Sequence, residues 1–326
     1  MVQTVCESGA LSKIGVKMSE FLVVGAGAIG TLVARQLADK GHAVRLVSRS
    51  GTDPKVPGVT AVAADAGDST VLSRLAENTS AIFNCVNPPY HRWASDWPPV
   101  ANALLAAAES SGAVLVTLSN LYPYGVVTAP MTPSTPMLAN YEKAQVRAKM
   151  WNDALAAHES GRIRATEVRA SDFIGPRSQS LLGERVIPNV LKGKACTVLG
   201  AADQPHSWTY INDVAATLIR CAERPDAWGR VWHVPTNPPR TQHQAIDDVA
   251  DAAGLPHVKV KVLPSAMLRL LGLFSPLMRE LPKTEYQFTA PFVIDDSATR
   301  SELGLEPTPW ATVLKDTIAA YNTGAS

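Results

Sequence analysis

Residues 21–30, read as Phe-Leu-Val-Val-Gly-Ala-Gly-Ala-Ile-Gly, constrain this chain's fold more than any other segment. A short apolar run enters a G-x-G-x-x-G turn and a helical pattern follows at once. Ile29, Val33 and Leu37 recur every four residues, which keeps one apolar stripe against a sheet. Gly25 permits the tight turn, Gly27 lets the backbone approach a pyrophosphate, and Gly30 lets the helix pack closely on the strand. The helix start at Ala28 and Ile29 then faces the phosphates. Glycine-rich turns alone are common. Here a second strand pattern, Ala43 to Val47, completes the strand–helix–strand context that a dinucleotide site needs.

The end of that second strand discriminates between dinucleotides. A carboxylate there would accept hydrogen bonds from the adenosine ribose and favour NAD(H). The chain instead has Ser48-Arg49-Ser50-Gly51, with no acid before Asp53. A guanidinium flanked by hydroxyls suits a 2′-phosphate, because its fork can hold two oxygens at once. NADP(H) is therefore the expected cofactor, with NAD(H) as the alternative.

Alternation governs the first half. Strand patterns at 59–63, 81–86, 113–118 and 165–169 are separated by helical ones at about 69–77, 100–110 and 140–158. This rhythm predicts an α/β fold, a Rossmann-type doubly wound parallel sheet with helices on both faces. Past residue 176 the rhythm changes. Helices near 181–191, 213–223 and 242–253 are interleaved with short strands at 196–199, 231–234 and 258–262, and 310–321 reads as a closing helix. The expected organisation is a dinucleotide-binding domain over 19–176 and a smaller C-terminal substrate lobe over 177–326, some of whose elements return to the main domain. Residues 1–18 read as a loose extension.

At 326 residues and 46% hydrophobic the chain can bury a full core. A net charge of +1 offers no general attraction to nucleic acid or an anionic membrane. Cys6, Cys85, Cys196 and Cys221 have neither metal-ligand nor disulfide spacing, so no metal site is expected. Buried thiols in a reducing, cytoplasmic compartment fit them better. The most apolar late stretch, 262–281, is broken by Pro264, Arg269, Pro276 and Arg279 and reads as no membrane span. The expected partner is a small molecule.

Together with the glycine loop, several separate motifs resemble the extended, atypical branch of the short-chain dehydrogenase/reductase superfamily, the NAD-dependent epimerase/dehydratase group. Ala64-Asp65 falls where that family has an aspartate for the adenine amino group. Asn84-Cys85-Val86-Asn87-Pro88 falls where the fourth strand's end lines the nicotinamide side. Thr117-Leu118-Ser119-Asn120 with Tyr124-Gly125 is similar to its "SS-x-x-x-YG" segment, and Arg169 with Gly175-Pro176 to its "R-x-x-x-x-x-GP" turn. Residues 208–215 are similar to its "Y-V-x-D-V-A" helix opening. The resemblance implies a homodimer through the helices after strands four and five. Arg169 is expected to be structural, and Asp213 to cap its helix or tie down a loop. His206 falls where the family's nucleotide-sugar enzymes have a phosphate-binding arginine, and a neutral imidazole there argues against such a substrate.

The family's catalytic pair is a tyrosine followed four residues later by lysine on the helix after strand five, with a hydroxyl at the strand's end. Here the segment is Asn140-Tyr141-Glu142-Lys143-Ala144-Gln145-Val146-Arg147. Tyr141 is followed at the right spacing by Gln145, and the basic pair at that spacing is Lys143 with Arg147. Tyr141, Lys143, Ser119 and Asn120 are the catalytic candidates, with Tyr90, His91, Tyr122 and Tyr124 as substitutes. Residues 87–93 read as a substrate loop. Leu268, Leu271, Leu273, Phe274, Leu277 and Met278 suit core packing or an apolar lid. The expectation is an NADP(H)-dependent oxidoreductase for a small aromatic or apolar molecule. A non-catalytic NADP(H) sensor and an epimerase or dehydratase stay open beside it.

Overall fold

The computed structural model describes residues 19–322, apart from 177, 179, 181 and 275–278. Seven parallel strands form the central sheet: β1 (Glu20–Val24), β2 (Ala43–Ser48), β3 (Val59–Ala63), β4 (Ala81–Asn84), β5 (Val114–Asn120), β6 (Arg164–Ala170) and β10 (Val231–His233). Their order is β10-β6-β5-β4-β1-β2-β3. Reversal of strand order between β1 and β4 leaves a crevice at the strands' carboxyl ends, where open α/β sheets hold ligands.

The strands are continuous apolar runs because both faces are covered. Phe21 and Val23 of β1 enter one core with Ile29, Val33 and Leu37 of α1 (Ala28–Asp39). Leu22 and Val24 enter the other, against α2 (Ser69–Leu75), α3 (Trp93–Ser111) and α4 (Glu142–Glu159). The Asp68 side chain caps α2 by accepting from the Val71 amide at 3.0 Å. After β7 (Asp172–Ile174) come α5 (Ile187–Val190), β8 (Cys196–Val198), β9 (Trp208–Tyr210), α6 (Ile211–Glu223), α7 (Gln242–Ala252), β11 (Val260–Val262) and α8 (Ser265–Leu271). β7 pairs with β9 and β8 with β11, while α6 packs on α1.

Two local expectations change, and two short strands are new. α3 begins at Trp93 rather than near residue 100, and Pro98 and Pro99 lie inside it. Trp93 and Trp97, four apart and 3% and 0% exposed, anchor that first stretch and hold the helix where the prolines remove amide donors. The strands β7 and β9 are too short to leave a pattern. The helix expected over 181–191 is a wide turn over 182–186 running into the four-residue α5. The extension 1–18, with Cys6, lies outside the described residues; Cys85, Cys196 and Cys221 are free and buried.

Candidate functional site

A cleft of about 790 Å³ opens at the carboxyl ends of β1, β2, β4 and β5. Its three motif glycines differ in what demands them. Gly25 has φ +106°, and a Cβ there would lie 2.5 Å from the Cys85 carbonyl oxygen. A Cβ on Gly30 would lie 1.8 Å from the Gly25 carbonyl oxygen, so the fold itself requires both glycines. Gly27 has ordinary backbone angles (φ −75°, ψ −174°), and a Cβ there would meet nothing within 4 Å. It stands at the N-cap of α1, whose first amides, those of Ala28 and Ile29 included, have no intrahelical partner, with no acidic side chain in the first turn. Gly25, Gly27, Ala28 and Ile29 line the cleft and Gly30 lies behind them. Open space over free amides at a helix start fits a pyrophosphate.

At the β2 end, Ser48 and Arg49 line the cleft, whereas Ser50 does not. Ser48 Oγ accepts from the Gly51 amide at 3.0 Å, and Ser50 pairs with Thr52 at 2.8 Å. Arg49 is exposed, with no ion pair among the described residues. The acid that follows, Asp53, is off the wall and taken up by Lys55, whose amide donates to it at 2.8 Å. Asp65 is on the wall; one carboxylate oxygen accepts from the Gly67 amide at 2.9 Å. Cys85, Val86 and Asn87 follow β4 along the wall. Asn84, 1% exposed, instead turns inward, where Oδ1 accepts from the Val86 amide at 3.2 Å. Burial pushes the Cys85 thiol up to about 12, which leaves it an apolar filler.

On the β5 side the expected dyad is rearranged. Tyr141 is not on the helix: it is the N-cap of α4, and its hydroxyl pairs with that of Tyr286 at 3.2 Å. Burial holds its pKa well above that of a free phenol. Lys143 and Arg147, one turn apart, both lie on the inward face of α4. Lys143 is 2% exposed, and its Nζ lies 2.5 Å from Glu280 and 4.6 Å above the Tyr90 ring. Neither Tyr141 nor Lys143 lines the cleft; Arg147 does. Its guanidinium sits 4.1 Å from the Trp97 ring centre and 4.7 Å from that of Trp93. Nη1 donates to the Leu118 carbonyl at 3.3 Å, while Nε has no partner. Burial lowers its pKa to about 10.

Ser119 and Asn120 line the same wall. Ser119 is 3% exposed with an unpartnered hydroxyl, and Asn120 Oδ1 accepts from the Tyr122 amide at 3.1 Å. The Tyr122 hydroxyl accepts from Tyr90 at 3.2 Å, and both rings face the cleft. Ser171 and Ser178 add two more buried, unpartnered hydroxyls to the wall. Donors left open in this way suit a ligand's oxygens. Tyr124 is sealed in the core, 2.8 Å from His233, and His91 is exposed off the wall.

Other expected residues act within the fold. His206 is 1% exposed, bonded to Asp172 at 2.9 Å and stacked on Phe288 and Phe292. Arg169 is buried against Glu167 at 2.7 Å. Asp213 does not cap α6; it holds residue 308, accepting from the Thr308 amide and hydroxyl at 2.9 and 2.6 Å. Of the apolar group at 268–278, Leu268 is core, Leu273 and Phe274 are exposed, and none of these three lines the cleft. Leu277, Met278 and the Leu271 side chain lie outside the described residues. The sequence reading missed Asp172, Phe173, Gln287 and Phe292 on the wall, which carry no motif and reach it from separate segments. Among the described residues no His, Cys, Asp or Glu cluster could hold a metal, and no helix is long and apolar enough to cross a membrane.

The profile of the NAD-dependent epimerase/dehydratase family matches residues 21–234. No curated protein matches the chain. Among solved structures it is similar to the UDP-glucose 4-epimerase of Thermotoga maritima with UDP-glucose (16% identity, 94% of this chain and 100% of that one, TM-score 0.76). It is also similar to dTDP-glucose 4,6-dehydratase DesIV of Streptomyces venezuelae with NAD (19% identity, 94% and 97%, TM-score 0.75). A third is the UDP-N-acetylglucosamine 4-epimerase of Methanobrevibacter ruminantium with UDP-N-acetylmuramic acid (16% identity, 94% and 99%, TM-score 0.77). At these identities the likeness concerns the fold.

Proposed function

Because the chain belongs to the NAD-dependent epimerase/dehydratase family, we propose that it is an oxidoreductase-type enzyme that binds NADP(H) in the cleft and acts on a hydroxyl or carbonyl of a small molecule. Gly27 carries this reading: nothing in the protein's own packing calls for a glycine there, and a pyrophosphate does. In the proposed complex the pyrophosphate lies over the first turn of α1, Asp65 accepts from the adenine amino group, and Arg49 with Ser48 holds the 2′-phosphate. When bound, the dinucleotide supplies or accepts a hydride.

The residues proposed to meet the reacting oxygen are Ser119, Asn120 and Tyr122. Tyr122 already accepts a hydrogen bond from Tyr90, so its own proton is free to be given into the cleft. Tyr141 and Lys143, engaged with Tyr286 and Glu280, are assigned to holding the start of α4 against the segment over 280–286.

For the substrate we propose a nucleotide sugar, the class bound by the UDP- and dTDP-sugar enzymes of similar fold. Arg92 and Arg147 are the wall cations that its diphosphate would meet, since His206 is sealed off. An apolar substrate loses support, because Leu268, Leu273 and Phe274 of the expected lid lie off the wall. One observation favours a second reading, an NADP(H) sensor without turnover: lysine and arginine stand where the family has tyrosine and lysine.

The deciding experiment incubates the protein with NADP⁺ and UDP-glucose, UDP-N-acetylglucosamine or dTDP-glucose, following 340 nm absorbance, product mass and, because epimerisation changes neither mass nor net cofactor redox state, chromatographic separation of the sugar nucleotides. Conversion of one sugar supports the enzyme. NADPH binding with no conversion of any of them would transfer support to the sensor, and no dinucleotide binding would sink both.

A further inference from the structure

We propose that residues 259–274 form a docking surface for an anionic phospholipid bilayer. The sequence from Ala252 to Arg279 contains no aspartate or glutamate, yet holds Lys259, Lys261, Arg269 and Arg279. The chain's overall charge of +1 conceals this local concentration of cations.

The fold turns the apolar residues of the segment to the outside. β11 ends at Val262, and Pro264 starts α8. Leu268 points into the core at 0% exposure. Met267, Leu270, Leu273 and Phe274 stand at 50%, 58%, 68% and 84% exposure, with Val262 at 44%. Elsewhere in the described chain only Val126 and Leu138 are large apolar side chains so exposed. A contiguous apolar group of this kind marks an interaction site rather than ordinary surface. Lys259, Lys261 and Arg269 of the same segment are exposed, with no carboxylate partner among the described residues. Of the acids just upstream, Asp247 and Asp251 already face His257 and Asp248 pairs with Arg240.

Charge selects the occupant. In a two-fold contact between copies the same patch meets itself and brings cations to cations, and the acid in contact with the patch, Glu285, is 9% exposed and bonded to Ser265 at 2.6 Å. An anionic bilayer supplies negative headgroups to the lysines and Arg269, and an acyl boundary for Leu273 and Phe274. The docked face would stand beside the cleft, because Glu280, just downstream, holds Lys143 over the Tyr90 ring of the cleft wall.

Flotation of the full chain with vesicles tests this. The protein should float with equimolar phosphatidylcholine and phosphatidylglycerol, not with phosphatidylcholine alone, and high salt should release it. The double variant Leu273→Ser/Phe274→Ser should weaken partitioning by about tenfold or more. Lys259→Gln/Lys261→Gln should weaken it by a similar factor through charge alone. Both variants should keep the wild-type melting temperature and NADPH affinity; should the apolar pair misfold, the lysine pair still decides. Absence of flotation, or flotation unchanged by the lysine pair, would overturn the proposal. So would a wild-type dimer that the Leu273/Phe274 pair dissociates in the absence of vesicle binding, which would assign the face to a second copy.

Discussion

Gly27→Val and Gly30→Ala should separate what the ligand needs from what the fold needs. At residue 27 the backbone is at φ −75° and a Cβ meets nothing within 4 Å, so valine fits without strain. Gly27 caps α1 with no side-chain bond, and exchanging it for valine should cost at most about 1 kcal/mol, a few degrees in Tm. The valine branches would fill the space over the helix start. Losing the charge-assisted bonds there, at about 1.5–3 kcal/mol each, should weaken NADPH binding by roughly a hundredfold or more. At residue 30 the outcome inverts. A Cβ would lie 1.8 Å from the Gly25 carbonyl oxygen, so α1 must retreat by well over an ångström. Overpacking of that kind costs about 1–3 kcal/mol or more, against about 1 kcal/mol returned by alanine's helix propensity. Gly30→Ala should therefore melt lower even without ligand. Thermal unfolding and NADPH calorimetry on both variants supply the comparison. A folded Gly27→Val protein that binds NADPH like the wild type would show that no pyrophosphate lies over the start of α1.

Arg49→Asp should reverse the dinucleotide preference, since a carboxylate repels a 2′-phosphate and accepts from a ribose; unchanged preference in calorimetry would remove Arg49 from the site. Once a substrate is in hand, Tyr122→Phe should cut kcat by about 10²–10⁴, while Tyr141→Phe, off the cleft wall, should change it by no more than a few-fold; the reverse order would return the acid to Tyr141. Burial lowers the buried His233 to about 4 from its ordinary 6.5, so the unfolded chain binds a proton there that the folded one refuses. Stability should fall from about pH 6.5 down to pH 4 by about 3 kcal/mol from this residue. That slope should flatten in His233→Gln, read from urea unfolding at stepped pH.

Where neighbouring residues act together, the sequence was readable. Apolar strand runs and the Gly25–Gly30 turn placed β1, α1 and β2 within a residue or two, and Ser48, Arg49 and Asp65 lie at or just beyond the ends of β2 and β3. Three-residue strands such as β7 and β9 lack the length to show a period, and Pro98-Pro99 resembles a helix break unless the burial of Trp93 and Trp97 is known. The substrate wall was hardest to read, because Arg147, Asp172, Gln287 and Phe292 meet only in three dimensions. The dyad turned on a single detail of local structure. Starting α4 at Glu142 leaves Tyr141 outside the helix and aligns Lys143 with Arg147 on its inner face.

Calorimetry of the wild-type protein with NADPH and NADH decides whether the cleft is an NADP(H) site. Arg49 lines the cleft with no carboxylate partner among the described residues, and an exposed guanidinium–phosphate contact sits near the lower end of charge-assisted hydrogen bonds, about 1.5 kcal/mol. NADPH should therefore bind about tenfold tighter than NADH. Equal affinities, or tighter binding of NADH, would contradict the assignment.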